Sequence, residues 1–235
     1  MIRFDMSEFQ RDDSINRLLG APPGTEGAGG GGELTEKVKE KPFSLILLDE
    51  LEKAHPKILE IFLQVFEDGR LTDSNGAQVS FINTFIIATS NAGAETVREE
   101  IKAGMPLFNL KEMLLDKLQS EGIFHPEFLN RFDEIIVFKP LTEEEIAQVV
   151  DLQLKSLAKR LEAQDIYLKW NGEASNALAK AGYDPIYGAR PLRRLIQDTL
   201  ESMIAKEILK GNFSRGDTIQ TAADSSGNLT VVKSS

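Results

Sequence analysis

Apolar and polar positions follow two different styles along the chain. Up to about residue 140, short unbroken apolar runs are separated by segments of helical spacing; beyond that point helical spacing prevails. The run Phe43-Ser44-Leu45-Ile46-Leu47-Leu48 ends abruptly in Asp49-Glu50, and Thr84-Phe85-Ile86-Ile87-Ala88-Thr89 ends in Ser90-Asn91. Continuous apolar runs of this length predict strands buried on both faces, as in parallel sheets covered by helices. A third strand is expected at residues 134–138, after a helix closing near Arg131, and residues 1–4 read as a strand end. Between the strands, Ile58, Leu59, Phe62, Val65 and Phe66 fall near helical spacing. A polar helix is expected around residues 7–19, and another over 34–41, halted by Pro42. Asn75-Gly76, inside residues 71–81, is the strongest short hairpin signal and predicts a type I′ turn with positive φ at both central positions.

Pro140 marks the change of style. Thr142-Glu143-Glu144-Glu145 has the capping-box pattern and opens a long helix to about residue 163. Strand-like pieces interrupt the helical remainder at 166–169, 218–221 and 229–232, and the tail beyond Val232 is expected to fray. Two domains follow from this reading: an α/β domain over 1–140 and a mostly helical lid with a small sheet over 141–235. The glycine-dominated run at 27–32 cannot hold regular structure cheaply, since each Gly loses about 0.5–1 kcal/mol relative to Ala on ordering, and is expected to be a mobile loop.

Composition narrows the function classes. A formal charge of −10 argues against a nucleic-acid binder, because no basic patch could neutralise many phosphates without being outvoted. There is no cysteine, hence no disulfide and no thiolate-held zinc, which fits a reducing, cytoplasmic setting. No apolar run approaches the roughly 20 residues that a membrane span requires. His55 and His125 each precede a proline at an expected helix start and do not make a metal pair. Trp170 is expected in the lid core.

Four constellations carry chemistry. Asp49-Glu50 closes a buried strand, which delivers two carboxylates to the crevice where α/β sheets bind ligands; one can hold a phosphate-bridging Mg²⁺ and the next can orient a water. The same string also fits a solvated acidic strand end. Asn91 ends the neighbouring strand, where its amide could position that water or simply cap a helix. Arg131, in Asn130-Arg131-Phe132-Asp133-Glu134, suits either a cation reaching another subunit's phosphate or a surface pair with Asp133 or Glu134. Arg190, in Gly188-Ala189-Arg190-Pro191-Leu192-Arg193-Arg194, opens a helix whose dipole it opposes, so an anion should compensate it.

The strings Asp5-Met6-Ser7-Glu8-Phe9, Gly20-Ala21-Pro22-Pro23-Gly24, Leu48-Asp49-Glu50-Leu51-Glu52-Lys53-Ala54-His55-Pro56, Asp68-Gly69-Arg70-Leu71-Thr72-Asp73, Thr89-Ser90-Asn91, Pro126-Glu127-Phe128-Leu129-Asn130-Arg131 and Gly188-Ala189-Arg190-Pro191-Leu192 occur in this order. Together they resemble the second ATPase domain of the Clp unfoldases, the ClpB and ClpA/ClpC group, over residues 4–216. The resemblance implies an AAA+ large domain with a parallel sheet, followed by a helical lid. It further implies ATP and Mg²⁺, a homo-hexamer, protein substrates, and a Clp peptidase or chaperone adaptor as partner. By resemblance, Asp49 is the metal-side Walker B aspartate, acting through water, and Glu50 the catalytic glutamate. Asn91 is similar to sensor 1, Arg131 to the trans-acting arginine finger, Arg190 to the nucleotide-binding sensor 2, and the 71–81 hairpin to the pre-sensor hairpin. No Ile/Leu-Gly-Phe/Leu tripeptide of the kind that docks a peptidase occurs over residues 95–119, which leans towards a disaggregase, or towards docking elsewhere.

Two departures matter. The family's first strand and its phosphate loop precede the strand at Ile2, whereas here nothing precedes Met1, and no Gly-x-x-x-x-Gly-Lys-Ser/Thr string occurs later. This implies a piece of a longer ATPase, with two inner sheet edges left unpaired. The competing reading is a non-enzymatic module, unable to bind ATP alone, that serves in assembly or adaptor binding. The second departure is at the substrate pore loop, where Thr25-Glu26 stands in place of the family's aromatic residue and offers far less gripping area.

Overall fold

Three short strands share one apolar face in the first half of the chain. The computed structural model describes residues 1–21, 31–184, 188–224 and 227–234, which divide into two compact units, 1–138 and 139–235. In chain order the first unit comprises β1 (Ile2–Asp5), α1 (Ser14–Leu19), α2 (Glu33–Glu40), β2 (Ser44–Asp49), α3 (Pro56–Asp68), β3 (Arg70–Thr72), β4 (Gln78–Ser80), β5 (Thr84–Ala88), α4 (Ala94–Lys102), α5 (Leu107–Ser120) and α6 (Pro126–Leu129). The sheet order is β1-β2-β5, all parallel, with Ile2 opposite Ile46 opposite Ile86 and Phe4 opposite Leu48 opposite Ala88. These residues form one face, where Ile46 and Leu48 are fully buried against Leu34 and Val38 of α2, Ile58 and Phe62 of α3, and Leu110 of α5.

The expectation of strands covered on both faces holds for one face only. On the other, Leu45 and Leu47 are half-buried, while Phe85 is 68% and Ile87 40% exposed. The buried side chains of all six helices join a single cluster with the core face, which leaves no second apolar layer. Nor do residues 134–138 form the expected third strand. Exposure alternates there, with Ile136 70% and Phe138 85% exposed, but no described strand pairs with the segment, and a segment without a ladder partner is not a strand.

Three further expectations need correction or refinement in this unit. The polar helix at 7–19 is broken: Met6–Phe9 makes a single 3₁₀ turn capped by Asp5, whose carboxylate accepts the Ser7 N–H at 3.0 Å, and α1 starts only at Ser14. Burial of Met6 and Phe9 fixes that first turn. The helix expected over 56–66 continues to Asp68; the His55 ring accepts the Lys57 N–H at its start, and Gly69, at φ 63°, closes it. The hairpin exists, but its loop spans residues 73–77 and only Gly76 has positive φ, so the turn is not type I′. Buried Asp73 overrides the Asn-Gly signal by accepting the N–H groups of Asn75 and Ala77, both at 2.9 Å.

The second unit contains α7 (Glu143–Glu162), β6 (Tyr167–Trp170), α8 (Gly172–Gly182), α9 (Arg190–Ile196), a π turn (Gln197–Glu201), α10 (Ser202–Leu209), β7 (Thr218–Ala223) and β8 (Leu229–Ser234). Thr142 and Glu145 make the reciprocal capping box that opens α7. Its stripe of Ile146, Val150, Leu154, Leu157 and Leu161 is buried. The strand-like pieces assemble around β7, parallel to β6 and antiparallel to β8. The tail does not fray at Val232, because β8 continues to Ser234, which pairs with Thr218. Trp170 packs against this core and donates to Asp151 at 2.8 Å; Ser175 donates to the same carboxylate oxygen. Among the described residues no helix is long and apolar enough to cross a membrane.

Asp73 gives the first unit a measurable pH dependence. Its carboxylate also pairs with Lys39 of α2 at 2.8 Å. The Lys39 ammonium, followed by the two backbone amides, holds its pKa below the ordinary carboxylate range against the opposing effect of burial. A carboxyl that binds protons more weakly when folded stabilises above its unfolded pKa of about 4, and that contribution is lost as the pH falls below it. Asp73→Ala is expected to lower the stability of this unit by about 1–2 kcal/mol at neutral pH. Urea titrations at descending pH should show the gap between the two proteins closing below about pH 4.

Candidate functional site

The site is built where β2 and β5 end. Asp49 is the last residue of β2, and Glu50 follows at φ 56°, ψ 51° in the left-handed region. Among the described non-glycine residues only Glu50 and Asp165 have positive φ, a conformation that persists only where the surroundings impose it. Thr89 imposes it. Its N–H donates to the Leu48 carbonyl and its own carbonyl accepts the Leu51 N–H, both at 2.9 Å, which carries the pairing past the end of the ladder. Its hydroxyl donates to Asp49 Oδ1 at 2.5 Å and accepts the Glu50 N–H at 3.3 Å.

A second set of contacts surrounds this junction. Arg3 of β1 lies on the same face as Asp49, and its guanidinium meets Asp49 Oδ2 at 2.5 Å. The Asn91 N–H donates to Glu52 Oε1 at 3.2 Å. The Asn91 carbonyl accepts the Ala94 N–H that opens α4. Gly93 is required at the turn between them: its φ is 72°, and a Cβ there would lie 2.3 Å from Leu114 Cδ1 of α5. The structure therefore places Asp49 and Glu50 at the end of β2 and Asn91 in the exposed loop after β5, linked to them through Thr89 and Glu52, with the Asp49 side chain 28% exposed. Oxygen donors of this kind, one or two carboxylates beside a hydroxyl, suit a hard cation such as Mg²⁺ that completes its shell with phosphate and water.

Arg131 is placed by aromatic packing. Phe66 of α3 meets Phe128 at 5.7 Å and Phe132 at 5.3 Å between ring centroids, and Phe128 and Phe132 meet each other at 5.4 Å. This triad sets Arg131, which precedes Phe132, against Glu67, which follows Phe66, and the two form an ion pair. Neither Asp133 nor Glu134 is its partner, contrary to the local alternative. Glu134 instead pairs with Lys111 at 2.8 Å, which lowers its pKa. Arg190 stands at the start of α9 in the second unit, exposed, and among the described residues no carboxylate compensates it, so the expected anion is not supplied there. Thr25 and Glu26, with most of the glycine run, lie outside the described residues.

Sequence reasoning missed Arg3, Glu52, Glu67 and the role of Thr89. Arg3 left a signal, a lone cation inside the short apolar strand Met1-Ile2-Arg3-Phe4.

A family profile described as AAA domain (Cdc48 subfamily) matches residues 1–135. The chain belongs to the AAA domain family. A second profile, the C-terminal D2-small domain of ClpB protein, matches residues 141–221 of this Clp-type AAA chain. It is 49% identical to "Chaperone protein ClpB" of Meiothermus ruber over 216 residues, 92% of this chain and 25% of that protein. The corresponding figures are 48% over 226 residues, 96% and 26%, for "Chaperone protein ClpB" of Bdellovibrio bacteriovorus, and 47% over 225 residues, 93% and 22%, for that of Aquifex aeolicus. This AAA chain thus spans about a quarter of the length of the curated relatives it matches.

The Thr89 hydroxyl is the junction to test. Thr89→Val keeps the branched shape and removes both hydroxyl contacts, and is expected to cost about 0.5–1.5 kcal/mol. Thr89→Ser is expected to retain most of that stability. Amide hydrogen exchange at Glu50 should accelerate in the valine variant and stay near the parental rate in the serine variant.

Proposed function

We propose that this site hydrolyses ATP, in a module of a ring-forming protein unfoldase or disaggregase. The observation that carries the reading is the placement of Asp49 and Glu50 at the end of β2 and of Asn91 in the loop just beyond β5, linked through Thr89 and Glu52. Asp49 would hold Mg²⁺ through water, and the ion supplies charge neutralisation across the nucleotide phosphates. Glu50, turned out of the strand by its left-handed backbone, accepts a hydrogen bond from the attacking water and draws its proton as the water oxygen bonds to the γ-phosphorus and the bond to the β,γ-bridging oxygen breaks, releasing ADP and phosphate. The Asn91 amide fixes the second direction of that water. The resemblance of their surrounding strings supports Arg190 as a nucleotide contact and Arg131 as the residue that reaches the site of the adjacent subunit.

Such a division of labour requires an assembled ring, because the finger of one subunit completes the site of the next. The matching relatives are named chaperones, and the resemblance of the strings around Asp49, Asn91, Arg131 and Arg190 supports a homo-hexamer acting on protein substrates. By resemblance, Thr25 and Glu26 would belong to the loop with which such a ring grips its substrate.

In the assembled ring, Glu50→Gln is expected to leave ATP affinity unchanged while lowering turnover by about 10²–10⁴-fold. Nucleotide-binding titration and steady-state ATPase assays measure the two quantities separately. Turnover at the parental rate in that variant would remove Glu50 from the mechanism.

A further inference from the structure

Asn91 lies three residues beyond the end of β5, where the sheet no longer holds it. Thr89 is fixed on both sides of its backbone by Leu48 and Leu51, but Ser90 and Asn91 continue into an exposed loop ahead of α4. Within that loop the contacts are local: the Ser90 hydroxyl accepts the Ala92 N–H at 3.0 Å, and the Asn91 carbonyl accepts the Ala94 N–H at 3.1 Å. The Asn91 N–H alone reaches back across the site, to Glu52 Oε1 at 3.2 Å.

Glu52 is itself held firmly. It sits in the 3₁₀ turn Leu51–Lys53, immediately after Glu50 and Leu51. Leu51 is 3% exposed, the Ala54 N–H closes the turn onto its carbonyl, and the His55 N–H anchors the following residue to the Phe9 carbonyl. The second carboxylate oxygen, Oε2, is buried and has no hydrogen-bond partner among the described residues. A buried acceptor without a donor is destabilising, and an apolar side chain of similar size would avoid that cost. Stability alone therefore gives no reason for a carboxylate here, whereas the reach to Asn91 does.

We propose that Glu52 is a positioning residue for Asn91, a strut that fixes the Asn91 backbone relative to Glu50 so that both address the same water. The proposal rests on the ATPase reading of the site. Glu52 touches no reacting atom; it acts through the amide it holds. Because the strut arises two residues after Glu50, a displacement of the Glu50 turn carries Asn91 with it.

Two variants test this. Glu52→Ala removes the acceptor, while Glu52→Gln keeps an oxygen at the same reach and serves as the conservative rescue. In the 235-residue chain, the Asn91 amide is expected to exchange about tenfold faster in Glu52→Ala, with exchange in the core strands unchanged and near-parental protection in Glu52→Gln. In the assembled ring, Glu52→Ala is expected to lower kcat about 10- to 100-fold with KM for ATP unchanged. Adding it to Asn91→Ala should cause no further loss, since both act through one group. Unchanged Asn91 exchange in Glu52→Ala, or kcat losses that multiply in the double variant, overturns the positioning role while leaving the ATPase reading in place. Parental turnover in Glu50→Gln strikes down the ATPase reading, and the positioning role with it.

Discussion

The parallel pairing of β2 with β5 is the constraint on which the site depends. Leu48 opposite Ala88 is the last rung of the ladder, and Thr89 extends it by two main-chain hydrogen bonds. That extension brings the chain ends together and lets one hydroxyl serve both Asp49 and Glu50. A slip of one residue would exchange the two faces of a strand, because side chains alternate strictly. Ile46 and Leu48 would leave the core, and Asp49 would turn into it. Burial of those two side chains therefore selects the register, and the register places the acids. The apolar interior and the polar strand ends are consequences of a single alignment.

What was legible in the sequence divides along a physical line. Asp49, Glu50 and Asn91 could be located because each terminates an apolar run, and a run of that kind is a local signal. Thr142 with Glu145 was legible for the same reason, since a capping box lies within one turn of helix. Arg3, Glu52 and Glu67 were not, because their partners Asp49, Asn91 and Arg131 lie 46, 39 and 64 positions away along the chain and no local pattern encodes the pairing. The hairpin at 71–81 shows a local signal losing to a tertiary one: Asn75-Gly76 favours a two-residue turn, but Asp73, buried and paired with Lys39, organises five residues instead. At 134–138 the apolar run Ile135-Ile136-Val137-Phe138 predicts a strand, but a strand is a property of two segments, and none of the described residues pairs with this one.

Arg131 illustrates how rigid placement and weak attachment can coexist. Its backbone position is dictated by Phe128 and Phe132 closing on Phe66, contacts whose apolar area and ring geometry make them durable. Among the described residues its guanidinium is held by Glu67 alone, with both side chains more than a third exposed. Exposed pairs of this kind are worth at most about 1 kcal/mol. The aromatic packing thus determines where the cation stands, and the ion pair determines only what it faces until a stronger anion is offered. In the proposed ring, the phosphates of an adjacent subunit would be such an anion.

The same comparison orders the contacts around Asp49. Arg3 is 59% exposed, so its charge is heavily screened and its hold on Oδ2 is of the weak surface kind. Thr89 donates to Oδ1 from a backbone that Leu48 and Leu51 fix on both sides. A divalent cation presented to this carboxylate would carry twice the charge of Arg3 and would not have to break the Thr89 contact to be seated. In the proposed site Arg3 would thus be the partner that gives way and Thr89 the one that stays. The main-chain and hydroxyl contacts of Thr89 would persist through such an exchange, and they follow from the β2–β5 register rather than from the charges around the site.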